Sequence, residues 1–564
     1  MRGRLLVLAL IGLAACTSAT GDDLDTSSDE LTGFSAKAVT TTLAYGGHTE
    51  LLSVGPKTVT AVKFTGVAGD EVEAWVKHWG NGTAVLIGPD GRKKLAGADP
   101  TANYARDSRV RFTLTRSGTH YVAFRGGSDG TDSVVIHLEK RGGVLPPSSP
   151  ATSTDPCIAH PWPMMGQCRD AGYRSNVEGP LTAALAWSTP LGFTGWDTLE
   201  GIAVGRNGTT HLLHGPRSIV MGSEALVYSA VDAAGRRVLS ERLDLGDLDR
   251  PSLALAADGT PYVLNAFAVA RGPQKGLYDR ELFRIDTHGV ATSVGNLRQP
   301  GQALRDGWDE NSTRRILPLL RLDAQGRPYV RTYVQNNGAS PYLGNTVRFD
   351  PTTNRTDLVQ PADSGEVAGT ETHFVVPSGG LLDLSGTYVT RTDAAGKYMW
   401  MISAAGGVIA ADFPHDHLFV RTQSDDHRYE SPPWHQWNVY SVATGKLLWK
   451  TTSHGWLLRV PLFHPNGDAV FHAGQDSFDG SFEIWSADGV QKAAVPMGAT
   501  NWFPDFALDG AGSTYAVVGK HLVAVDATGA TRIDLTMPEE GKRIALGPDH
   551  TIIVASGTRL MAFR

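Results

Sequence analysis

Cysteine, long apolar runs and basic charge are all scarce in this sequence. Its three cysteines, at positions 16, 157 and 168 of 564, offer no CxxC spacing and too few ligands for a metal centre, even with His160 beside the last two. Past residue 16 no stretch approaches the ~20 apolar residues of a bilayer-crossing helix, which excludes a permanent span of that kind. Lysine and arginine total 51 against 58 acids, a net charge of −7. No basic stripe offsets that deficit, so a nucleic-acid backbone is excluded as partner. HExxH and reactive-cysteine patterns are missing. The one GxSxG string, Gly126 to Gly130, lies between two strand patterns and opens no helix, so its serine has no nucleophile elbow.

What the chain has in abundance is one hairpin. Tyr440 to Lys450, YSVATGKLLWK, is an apolar strand end, a tight Thr-Gly turn and an alternating strand that returns. Degenerate copies start at Val231, Arg284, Arg348, Arg391, Trp485 and Val525. Measured at the turn residue (Gly235, Gly289, Asn354, Gly396, Gly445, Gly489, Gly529) the spacings are 54, 65, 42, 49, 44 and 40, a mean of 49. Propeller blades, each a four-stranded antiparallel sheet, occupy roughly 40 to 50 residues. A second hairpin precedes most of these, at Ala203, Ala254, Arg321, Leu462, Ala507 and Ala545. Each such hairpin joins the innermost strand of a blade to its neighbour, with Asp, Asn and Gly at the bend and alternating Val, Ile, Leu and Tyr beside it. The pattern predicts an all-β chain ending in a propeller of seven or eight blades over 181–564. Its innermost strands lie near Ile202, Leu253, Leu317, Phe374, Ile409, Leu462, Phe506 and Ala545. The last unit supplies only three strands, so the fourth is expected from Leu181 to Ser188, which removes the free edges.

At the other end, Arg2 and Arg4 precede an apolar run from Leu5 to Leu13, the pattern of an export signal. Leu13-Ala14-Ala15-Cys16 resembles the lipobox of bacterial lipoproteins. That resemblance implies removal of the residues before Cys16 and acylation of Cys16, which anchors the chain to a lipid bilayer. Cleavage there leaves 49 basic against 58 acidic residues, a net of −9. Residues 17–33 are acidic and rich in Ser and Thr, a disordered tether. The +2 residue is Thr17, which favours the outer membrane of a bacterial cell envelope.

Residues 34–143 carry period-two alternation at Thr58 to Phe64, Glu71 to Lys77, Ala84 to Ile87, Arg109 to Thr115 and Ser133 to Leu138, the mark of a small β-sandwich. Phe64-Thr65-Gly66, Gly69-Asp70-Glu71-Val72, Pro89-Asp90-Gly91 and Ser117-Gly118-Thr119-His120-Tyr121 resemble the bacterial pre-peptidase C-terminal domain. A jelly-roll-like sandwich with an accessory role is what this implies. Residues 144–156 read as a stiff, solvated Pro/Ser linker. In an oxidising compartment Cys157 and Cys168 read as a disulfide stapling 157–180, worth roughly 3 kcal/mol in the chain-entropy account.

The hairpin at Tyr440 also resembles the repeat of quinoprotein-type (PQQ-like) propellers, in which a strand, a Thr-Gly-Lys turn and a terminal Trp recur. Trp449 and Trp400 fill the Trp position, four residues after Gly445 and Gly396. Leu239, Ser293, Leu358, Ala493 and Ile533 stand there in the other copies. The adjacent cysteine pair of pyrroloquinoline-quinone alcohol dehydrogenases is lacking, so the resemblance implies architecture, and no cofactor is expected.

The loops that lead into innermost strands ring one mouth of a propeller. They place Trp196, Arg250, Arg315, Glu371, His373, Trp456, Arg459, Trp502, Asp505 and Arg543 there, a set rich in the Trp and Arg of binding hot spots. Two readings follow. In the first, an exported, lipid-anchored binding or scaffold module holds a protein or small-molecule partner at that mouth, similar in plan to the propeller lipoprotein of the outer-membrane protein assembly machine. In the second, a hydrolase or lyase acts there on a glycan or lactone. No catalytic residue and no metal site is assigned. His415-Asp416-His417 reads as two imidazoles on one side of a strand, short of a metal's ligand count.

Overall fold

A computed structural model describes residues 39–564 except 80–82, 88–93, 98–106, 128–129, 149, 151–152, 165–174, 192–196, 217–225, 244–250, 270–277, 297–319, 324, 335–342, 351–354, 361–372, 386–387, 405–407, 424–434, 454–460, 475–479 and 499–504. The export signal, the tether and Cys16 therefore lie outside the described residues. Strand dominates everywhere else, and one four-residue helix, Pro156–Ala159, is described.

From residue 185 onward the chain forms eight four-stranded antiparallel units, each built from consecutive strands: unit 1 (197–243), unit 2 (252–296), unit 3 (321–360), unit 4 (373–403), unit 5 (408–453), unit 6 (462–498), unit 7 (505–536) and unit 8 (541–563). Unit 8 has three strands of its own. Its fourth is Leu185–Pro190, antiparallel to Arg559–Phe563, where the strand missing from the repeat was expected. The innermost strand of unit 1 packs against those of units 2 and 8, and that of unit 8 packs against that of unit 7. Unit 3 opens at Arg321–Leu322, and Leu317 lies outside the described residues.

One turn design recurs because one side chain can satisfy a whole bend. Asp232, Asp286, Asp323, Asp393, Asp509 and Asp526 each accept two backbone N–H bonds on Oδ1, from the residues two and four places on, at 2.7–3.0 Å. The residue three places on is a glycine with φ between +73° and +92° (Gly235, Gly289, Gly326, Gly396, Gly512, Gly529). This is the left-handed region that glycine enters at no steric cost. In unit 5 Ser441 replaces the aspartate, and a neighbouring bend supplies the carboxylate: Asp416 accepts from the Ser441 hydroxyl at 2.6 Å and from the Ala443 N–H at 2.7 Å.

The glycine also makes room. A Cβ on Gly445 would lie 2.9 Å from the Trp400 indole, one on Gly489 2.7 Å from Trp449, and one on Gly235 2.6 Å from Trp187. Trp400 and Trp449 belong to the outermost strands of units 4 and 5, so each unit's outer strand docks on the next unit's turn. Trp187 does the same from the strand that completes unit 8. Its Nε1 donates to Ala233 O at 3.2 Å, as that of Trp400 donates to Val442 O at 3.1 Å. The borrowed strand thus carries the docking residue of a full repeat.

Ahead of the array, two sheets share one core. Val39–Thr42, Val59–Gly66, Gly118–Arg125, Thr83–Ile87 and Lys94–Gly97 form one; Asp132–Gly143, Glu71–Trp79 and Asp107–Thr113, with two short strands at 47–48 and 52–54, form the other. Phe64, Val122 and Phe124 from the first meet Val72, Val76, Ile136 and Leu138 from the second. The strand Asp132–Gly143 then runs on into unit 1, where Gly142 pairs with Ser240 and Gly143 with Leu239. Gly143 has φ +118°, and a Cβ on it would lie 2.0 Å from Val238 O, so only glycine admits this approach. Two ion pairs brace the joint. Arg141 meets Glu73 at 2.5 Å and donates to Ser240 Oγ at 2.9 Å, and Arg237 meets Glu139 at 2.6 Å.

Part of the segment 144–156 is docked, while Val144, Pro147, Ser148, Pro150 and Thr154 are exposed. Leu145 is buried in the core of units 1 and 2, and the carbonyls of Pro147 and Pro150 accept from Asn207 and Arg206. Proline leaves carbonyls without competing N–H groups, and unit 1 uses them.

Two measurements check this account. Trp187→Ala and Trp400→Ala should each lower the unfolding free energy by about 3 kcal/mol, read from urea midpoints at constant m-value. Arg141→Ala strands the buried Glu73 carboxylate and should cost about 3–5 kcal/mol. A double-mutant cycle with Glu73→Ala should recover part of that loss.

Candidate functional site: the two ends of the array

Antiparallel order puts alternate connections at opposite ends of the units. At one end, where first strands join second and third join fourth, every connection within a unit is three to five residues long by the strand bounds. At the other end lengths run from 2 to 24: Asn296 to Arg321 leaves 24 residues, Gln360 to His373 leaves 12, and Gln423 to His435 leaves 11. The short end is committed to the Asp-Gly turns. The long end is free to vary, and it holds the loops that lead into the innermost strands.

A single segment covers part of the short end. Trp162 bridges to Val204, Pro163 O accepts from Leu255 N, Leu508 O accepts from Ser175 N, and Val177 O accepts from Gly510 N. Val204, Leu255 and Leu508 are the last residues of the innermost strands of units 1, 2 and 7. Asp509 Oδ2 accepts from the Gly179 N–H and the Tyr515 hydroxyl, both at 3.0 Å. Trp162 and Met164 of this cover are fully buried against the array. Cys157 is buried in the same segment; Cys168, its expected partner, lies outside the described residues.

Of the ten residues predicted at the mouth, Trp196, Arg250, Arg315, Glu371, Trp456, Arg459 and Trp502 lie outside the described residues. His373 opens the innermost strand of unit 4, opposite Asp383. Asp505 is buried, and its Oδ2 accepts from the Ile544 N–H of unit 8 at 2.8 Å. Ser252 occupies the equivalent place in unit 2 and accepts from Leu320 N at 3.1 Å, just ahead of unit 3. Each stands four residues before its turn; Asp505 reaches the next unit's innermost strand and Ser252 the residue just ahead of it, so Asp505 is buried between units. Arg543 has that same register in unit 8. It is half-buried, with Nη1 3.3 Å from Lys542 O, while Lys542 is exposed. Sequence reasoning passed over Trp308 and Trp434. With Trp196, Trp456 and Trp502 they put five of the chain's 13 tryptophans in the long-end connections, a bias visible only once the strand ends are known.

Among the described residues no group of three or more His, Cys, Asp or Glu is placed to hold a metal ion. The expected imidazole pair is arranged differently. His415 sits in a 3-10 turn, Phe413–His415, ahead of the strand His417–Gln423, because Asp416 adopts φ +59° between them. The Nδ1 of His415 bonds Asp412 at 2.7 Å, and its ring packs on Gly467.

Among the buried imidazoles, His160 of the covering segment and His211 of unit 1 act on one another. The Nε2 of His160 donates to Ala256 O at 2.7 Å while its Nδ1 accepts from Arg206 N at 3.2 Å. His211 meets the Tyr228 hydroxyl through Nδ1 at 2.6 Å. Burial pulls the His160 pKa down, and burial followed by the charge of His160 pulls His211 down to about 3.

No known protein family and no curated protein matches the chain. Among solved structures it is similar to the quinohemoprotein alcohol dehydrogenase ADHIIG of Pseudomonas putida HK5, with 11% identity over 72% of this chain and 80% of that one and a TM-score of 0.42. It is also similar to a europium-containing methanol dehydrogenase, with 12% identity over 72% and 98% and a TM-score of 0.44. The pre-peptidase C-terminal domain of a Bacillus anthracis collagenase matches 18% of this chain and 93% of its own length, with 12% identity and a TM-score of 0.15. These are low-identity likenesses of strand-rich architecture and say nothing of this chain's chemistry. Among the described residues no helix is long and apolar enough to cross a membrane.

The imidazoles give a pH prediction. An unfolded histidine titrates near 6.5, above both folded values, so below that pH the unfolded chain binds more protons than the fold. The stability these two groups contribute should be level above pH 6.5 and fall toward pH 3, with His211 contributing about 1.4 kcal/mol per pH unit in that window. Urea titrations at several pH values check it, and His211→Gln should flatten the slope.

Proposed function

We propose that the eight units close into a propeller, that the two leading sheets are a jelly-roll-like sandwich fused to its rim, and that the chain is a binding or scaffold module working through its long-loop end. The closed ring is supported by contacts between the innermost strands of units 1 and 8, and by the strand that unit 8 takes from 185–190. The observation that carries the functional reading is the asymmetry of connection lengths. A rigid array with uniform turns at one end and loops of 2 to 24 residues at the other is the arrangement by which scaffolds carry recognition loops. The covered short end leaves the long-loop end as the face for a partner, with Trp502 and Arg543 in the recognition set and Asp505 outside it. Cys16 is the lipid attachment point, placing the protein on a bacterial envelope membrane, and Cys157 with Cys168 staples the cover.

Crosslinking from native membranes tests this reading, comparing the unaltered chain with Trp502→Ala/Arg543→Ala. A specific protein captured by the first and lost from the second is the expected result. The same partner held by both moves the surface elsewhere. Capture of nothing by either turns attention to the second reading, an enzyme acting on a glycan or lactone at the same face, which a turnover screen then examines.

A further inference from the structure

The outermost strands of units 4 and 5 and the turn of unit 6 carry an apolar surface open to solvent. Tyr398, Met399, Met401, Leu447, Leu448 and Val490 are between 45% and 63% exposed. They are contiguous, because Trp400 packs on the turn of unit 5 and Trp449 on the turn of unit 6. Comparison at one register position shows this to be a local choice. The residues one place before and after the inward-facing position are Met399 and Met401 in unit 4 and Leu448 and Lys450 in unit 5; in unit 7 they are Arg532 and Asp534. Unit 1 has Val238 and Ser240 there, and the strand Asp132–Gly143 covers them. Nothing described covers units 4 and 5.

Charge identifies the occupant. The chain carries a net charge of −7, yet this patch is ringed by the exposed Lys397, Lys446 and Lys450. None of the three has an ion-pair partner among the described residues. Asp393, four residues before Lys397, is held by two backbone N–H groups of its turn, and against the three lysines stands one exposed acid, Asp488, in the turn of unit 6. Apolar side chains ringed by lysines, whose stems lie along apolar surface while their heads stay at the headgroups, match an anionic lipid bilayer. A neutral apolar partner would gain nothing from the lysines.

We propose that this surface docks on an anionic bilayer, with Met399, Met401 and Leu448 entering the headgroup boundary and Lys397, Lys446 and Lys450 meeting lipid phosphates. Both sets lie close to the turns of the short end, so docking leaves the long-loop end clear of the membrane. This contact is separate from any acyl anchor at Cys16.

Vesicle flotation tests it, using the chain from residue 17 onward so that neither the apolar run 5–13 nor an acyl chain at Cys16 contributes. The vesicles are phosphatidylcholine alone, or phosphatidylcholine with phosphatidylglycerol in a two-to-one ratio. The chain should float with the anionic vesicles, less as salt rises, and not with the neutral ones. Lys397→Gln/Lys446→Gln/Lys450→Gln should weaken partitioning about a hundredfold, at about fivefold per lysine. Met399→Ser/Met401→Ser/Leu448→Ser should weaken it comparably, with an unchanged melting midpoint because all three sites are exposed. Should the apolar triple unfold, the lysine triple and the salt dependence decide. No flotation, equal flotation with neutral vesicles, or flotation indifferent to the lysine triple overturns the proposal. So does a concentration-dependent dimer abolished by the apolar triple, which would assign the face to a second copy of this chain.

Discussion

A turn glycine with no room for a side chain is the constraint on which the array rests. At Gly235, Gly445 and Gly489 the backbone bends with φ between +68° and +83°, and a tryptophan of the preceding unit fills the space that a Cβ would occupy. Bend and contact are inseparable. A larger residue would strain the backbone and push the neighbouring unit away at once, so the spacing between units is set at the same atoms that set the hairpin. Asp232 holds the first of these bends from within, its carboxylate satisfying two N–H groups that the ladder leaves unpaired, and Ser441 and Ser486 open the other two.

That commitment separates the two ends of the molecule. Turns that must receive a neighbour cannot change length, and within the units they stay at three to five residues; connections at the other end range from 2 to 24. The segment that follows the leading sheets adds its own cover to the short end, through Trp162, Ser175 and Val177. Variation is therefore confined to one end by packing, before any question of what binds there arises. The joint with the leading sheets follows the same logic, since Gly143 permits a strand approach that any Cβ would block at Val238 O.

The glycine spacing was legible because positive φ restricts residue type so strongly that a degenerate repeat still shows it. The strand lent to unit 8 was legible too, since a unit with three strands demands a fourth. The role of Trp187 was not, because its repeat is completed by residues about 370 positions away and no spacing along the chain reports it. Its place in a loop that leads into an innermost strand puts Asp505 at the mouth in the sequence reading. It is instead the first residue of an inner strand, where a buried carboxylate is stable once an N–H from the next unit pairs with it. Ser252 shows that a hydroxyl serves in the same register, so the position tolerates two chemistries and yields no consensus. The course of 144–180 was equally hidden, for a Pro/Ser-rich composition describes stiffness and says nothing of which carbonyls find donors.

Docking of the outer strands also determines what solvent meets. Side chains in a strand alternate between faces, so once Trp400 turns inward onto Gly445, Met399 and Met401 are turned away from it. The same holds for Leu448 and Lys450 around Trp449. Ile533 is the inward residue of unit 7, and its neighbours Arg532 and Asp534 are charged, the usual protection of an outer edge against pairing with another chain. Units 4 and 5 keep the inward contact while placing methionine, leucine and lysine outward. Because the array's own stability depends on the inward set, the outward set is free to take a second task without weakening the fold, and it is there that the composition of these two units departs from that of unit 7.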